Sequence, residues 1–116
     1  MAYRVVITGM GIVSPVGNDV KTYWDNLKNG RCGIRKLTRF STEGLAASVA
    51  GELVDFNPAD YGIEPGFTRK QDLFSVYAVA AAKQAMDQSG LVSGENVDPF
   101  RIGVYVGSGI GGYPST

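Results

Sequence analysis

Histidine is missing from all 116 residues, which removes the commonest general base and the commonest metal ligand from any chemistry assigned to this chain. Cysteine is nearly missing too. Cys32 stands alone, so no intrachain disulfide can form and a reducing, cytoplasmic setting is expected. Eleven basic residues against eleven acidic ones leave no net charge, hence no overall field toward nucleic acid or an anionic membrane surface. The longest apolar stretch, Val76 to Ala82, is far too short to span a bilayer. A strand-like run begins already at Tyr3, so no leader peptide is expected. The expectation is a chain with no metal, no cofactor, no nucleic-acid partner and no membrane partner.

What is present is an ordinary globular composition, 44% hydrophobic and 19% charged, with 16 glycines, enough for one modest domain or part of a larger one. The charges are segregated. Lys28, Arg31, Arg35, Lys36 and Arg39 run without an acid among them, and Glu43, Glu52, Asp55, Asp60 and Glu64 follow without a base. Two solvated loops of opposite sign account for this.

The triplet Val5-Val6-Ile7 reads as a buried strand. Asn18 or Asp19 can cap a helix in which Val20, Tyr23, Trp24 and Leu27 share one face, and Gly30 ends it. Residues 31–46 show no period and read as a loop. Residues 47–53 form a weak short strand, and Asn57-Pro58 opens a short helical turn. The strongest helix runs from about Gln71 to Ser89 and stops at Gly90. Its first half is apolar nearly all round, so it expects cover on more than one side. Ile102 to Val106 then gives a second buried strand. The order strand, helix, short strand, helix, strand indicates an α/β fold with at least partly parallel pairing.

Two glycine-rich turns follow the two strands. "GMGIVSPVGN", residues 9–18, resembles a dinucleotide cradle only at first sight. Ser14 stands where a third glycine is needed, and Pro15 biases Ser14 away from helical geometry, so no helix begins inside the motif. Residues 29–35, "NGRCGIR", offer neither a second strand nor the carboxylate such a site requires. The second turn, "GSGIGG" at 107–112, reads either as a cradle or as a tight exit from a strand that needs close backbone approach.

Taken together, "RVVITGMGIVSPVGN", "TRKQDLFSVYAVAAAKQAMDQSGL", "RIGVYVGSGIGG" and the "DFN" at 55–57 resemble, in order and spacing, the N-terminal segment of the β-ketoacyl-[acyl-carrier-protein] synthase II group of condensing enzymes. The resemblance covers essentially the whole chain. It implies a partial thiolase-like fold: residues 1–116 would be an N-terminal fragment of the synthase N-terminal domain, part of the first of two α/β halves, with the sheet incomplete in this chain. It also implies a parent that is a homodimer and an acyltransferase of fatty-acid biosynthesis. That parent would elongate acyl chains by decarboxylative Claisen condensation with malonyl carrier protein. In the family a cysteine thiolate takes the acyl group and two histidines stabilise the developing enolate charge, which suits the chemistry of both groups. All three lie downstream of "GSGIGG". This segment is therefore expected to hold no catalytic residue and to be inactive alone. Cys32 falls where relatives carry a small loop residue such as serine, and it is not the nucleophile.

The resemblance carries over two features. Arg69 and Lys70, in the motif Arg69-Lys70-Gln71-Asp72, correspond to basic residues that help dock the acidic acyl carrier protein; the alternative is a solvated helix entrance. Gly66 stands where relatives often have another lysine and Gln71 where they have methionine, which thins the patch. Ile110 corresponds to a residue lining the acyl pocket; the alternative is ordinary core. A fragment of a non-catalytic chain-length partner of a polyketide synthase is the competing family reading.

Overall fold

The computed structural model describes residues 2–112. They fall into two compact units. Ile12–Asn57 form one, and the segment up to Gly11 joins the segment from Pro58 onward in the other.

In the first unit, Ser14 closes a tight turn with Gly17. The Ser14 N–H donates to the Gly17 carbonyl at 3.1 Å, the Gly17 N–H returns a bond at 3.2 Å, and the Ser14 hydroxyl oxygen accepts from the Val16 and Gly17 amides. Helix α1, Val20–Lys28, starts one residue after Asp19, whose carboxylate accepts from the Thr22 amide at 2.8 Å. It ends at Asn29, ahead of Gly30 in the left-handed region. Both limits match the sequence reading, because a side-chain cap and a glycine stop are local chemistry.

The following segment is more ordered than expected. Strand β1, Arg35–Lys36, pairs antiparallel with β2, Val49–Ala50, in the register Arg35 to Ala50 and Lys36 to Val49. The Leu37 amide extends the hairpin to the Ser48 carbonyl at 2.9 Å. Glu52 then reaches back to the basic segment, where its carboxylate accepts from the Thr38 amide (2.9 Å), the Thr38 hydroxyl (3.0 Å) and the Arg39 amide (3.1 Å). Glu52 is only 6% exposed, so it is a structural tie and not part of a solvated acidic loop. Its partners are mostly main-chain groups, which charge counting does not register.

In the second unit, Pro58–Tyr61 make a 3₁₀ turn and Pro65–Thr68 a one-turn helix, α2, with Pro65 in its first turn. Helix α3, Leu73–Ser89, carries 17 residues and stops at Gly90 (φ 66°, ψ 13°), whose amide donates to the Met86 carbonyl at 3.1 Å. Val76 and Ala80, one helical turn apart on α3, are fully buried, and Ile63 completes the small buried apolar set.

The α/β reading needs correction at its strands. Val5, Val6 and Ile7 belong to no strand and are 69–92% exposed, and Val104, Tyr105 and Val106 are likewise unpaired and 75–96% exposed. Among the described residues the sheet is the two-stranded antiparallel hairpin alone; no parallel sheet forms. A strand is stabilised by ladder bonds to a neighbour, and β-branched residues without one have no reason to bury. The cover on more than one side expected for α3 is also only partly found. Leu73 and Phe74 are exposed, Tyr77 is half-buried, and Val76 is fully buried.

Candidate functional site

The first glycine turn is a packing device. A Cβ on Gly9 would overlap the Ala85 carbonyl oxygen, and one on Gly11 would overlap that of Ala81. Two residues of extended chain rise about 6.6 Å, and one helical turn of four residues about 6 Å. Gly9 and Gly11 thus match the Ala81–Ala85 step along α3 and let main chain lie directly on helix. The Met10 amide between them donates to Gln88 Oε1 at 2.6 Å. An amide already engaged and glycines pressed onto a helix leave no open nest for a pyrophosphate. Gly17 acts alike in its own unit, where a Cβ would stand 2.6 Å from the Tyr23 amide nitrogen.

Cys32 lies on a cleft of about 400 Å³ within the first unit, shared with Asn18, Asp19, Arg31, Arg35 and Asp55. The thiol is exposed and its sulfur accepts from the Ile34 amide at 3.4 Å. Three of the charged groups there, Asp19, Arg35 and Glu52, are engaged in structure. Arg35 donates to the Pro15 carbonyl at 3.2 Å. The Thr22 hydroxyl and amide hold the Asp19 carboxyl below its ordinary value. Desolvation works against ionisation of Glu52, but the Thr38 and Arg39 hydrogen bonds and the Arg39 charge prevail and lower its pKa. Among the described residues no cluster of three or more Cys, Asp or Glu is placed to hold a metal.

Arg69 and Lys70 are fully on the surface. Arg69 closes α2, its amide bonded to the Pro65 carbonyl at 3.1 Å, and Lys70 follows two residues before Asp72, the N-cap of α3. A cation at the positive end of a long helix does not stabilise that helix, so α3 gives no reason for Lys70. The same unit carries a groove that the sequence reading missed, of about 350 Å³ and lined by Gly62, Ile63, Glu64, Phe67, Val79 and Lys83. The one signal available for it was Glu64-Pro65, a helix start hidden by the brevity of α2. Ile110 is 81% exposed in a bend, and no strand pairing fixes the turn that carries it. No described helix is long and apolar enough to cross a membrane.

Residues 2–116 match the family model described as "Beta-ketoacyl synthase, N-terminal domain". The chain is 50% identical over 109 residues to 3-oxoacyl-[acyl-carrier-protein] synthase 2 of Staphylococcus aureus (strain COL), which covers 94% of this chain and 26% of that protein. It is 44% identical over 111 residues to the synthase 2 of Coxiella burnetii, covering 96% of this chain and 26% of the other. The chain therefore spans about a quarter of the length of these relatives. A solved structure titled the ishigamide ketosynthase/chain length factor aligns with a TM-score of 0.67 at 40% identity, over 75% of this chain and 21% of that one. A family match over nearly every residue, joined to half-identity with the N-terminal quarter of a synthase, places this chain in the β-ketoacyl synthase family, in its N-terminal domain.

Proposed function

We propose that residues 1–116 form an N-terminal piece of a 3-oxoacyl-[acyl-carrier-protein] synthase that elongates acyl chains by decarboxylative condensation, and that this piece supplies recognition and not chemistry. The observation that carries the reading is the 50% identity over 94% of the chain to a synthase of that name. The chemistry needs a thiolate nucleophile that is also a good leaving group, and donors for the enolate oxygen left by decarboxylation. This segment has no histidine to act as donor, and its one thiol, Cys32, lies in a loop where relatives carry a small residue. The parent would work as a homodimer in the cytoplasm.

Within the segment, Arg69 and Lys70 dock the acidic acyl carrier protein. Paired cations on an exposed rim act chiefly on encounter rate and salt dependence. Ile110 contributes to the acyl pocket of the complete protein; its exposed aliphatic side chain is available for that contact.

A non-catalytic chain-length partner is the second reading, favoured by the likeness to the ketosynthase/chain length factor structure. Determining the sequence of the native polypeptide beyond "GSGIGG" separates the two. A downstream cysteine with two histidines supports the synthase. Another residue at the cysteine position supports the chain-length partner, and the lack of any such continuation contradicts both.

A further inference from the structure

We draw no further inference here: the strongest candidate, the polar cleft of about 400 Å³ around Cys32 in the first unit, rests on a lone exposed cysteine, and nothing among the described residues shows what would bind there.

Discussion

Replacing Gly11 with alanine probes the contact that explains the opening glycine motif. The new Cβ would overlap the Ala81 carbonyl oxygen, approach its carbon to 2.8 Å and reach the Gln84 Cβ at 2.9 Å. Two of these three atoms are helix backbone, which has no rotamer to change. The segment or the helix must therefore shift. Gly11 is not at positive φ, so alanine brings no backbone strain and would by itself gain about 0.4–1 kcal/mol by restricting the unfolded chain. Forced overpacking costs about 1–3 kcal/mol. The net expectation is a loss of about 1–2 kcal/mol, or roughly 4–16 °C in Tm for a domain of this size. Gly66→Ala is the matched control. It lies inside α2 with nothing within 4 Å of a built Cβ, so it should be neutral or slightly stabilising. Thermal denaturation followed by circular dichroism reads both. A Gly11→Ala chain as stable as the parent, or equal losses for the two variants, would refute the packing account and reopen the anion-cradle reading.

Asp19→Ala removes the side-chain cap of α1 and should cost about 1 kcal/mol in denaturant unfolding, with Asp19→Asn recovering most of it. Glu52 has its pKa lowered in the folded chain, so its contribution is complete above the unfolded value near 4.3 and is lost as pH falls through the folded one. Glu52→Gln should accordingly flatten the stability profile below about pH 4.5, measured by chemical denaturation across pH. The exposed run around Val104 offers an open edge for pairing with other chains, so Val104→Lys should shift the sedimentation profile toward monomer.

What the sequence made legible divides along physical lines. Helix limits were readable at Asp19, Gly30, Ser89 and Gly90, because caps and glycine stops depend on a few adjacent residues. The strands at Val5–Ile7 and Ile102–Val106 were not, because β-branched runs state a propensity whose fulfilment needs a partner, and none is present among the described residues. Glu52 escaped because its partners are two main-chain amides and a threonine hydroxyl 13 and 14 positions away, invisible to charge patterning. The groove at Phe67 escaped because four helical residues display no period. Arg69 and Lys70, by contrast, drew notice as a motif, and they do stand on the surface where a partner could reach them.

The proposed role of these residues is recognition without chemistry, as part of a condensing enzyme. Incubating the chain with acyl and malonyl carrier proteins and measuring 3-oxoacyl product tests it most directly. With no histidine in the chain and Cys32 as its one thiol, product should form no faster than in the protein-free control. Turnover above that control, abolished by Cys32→Ser, would contradict the account.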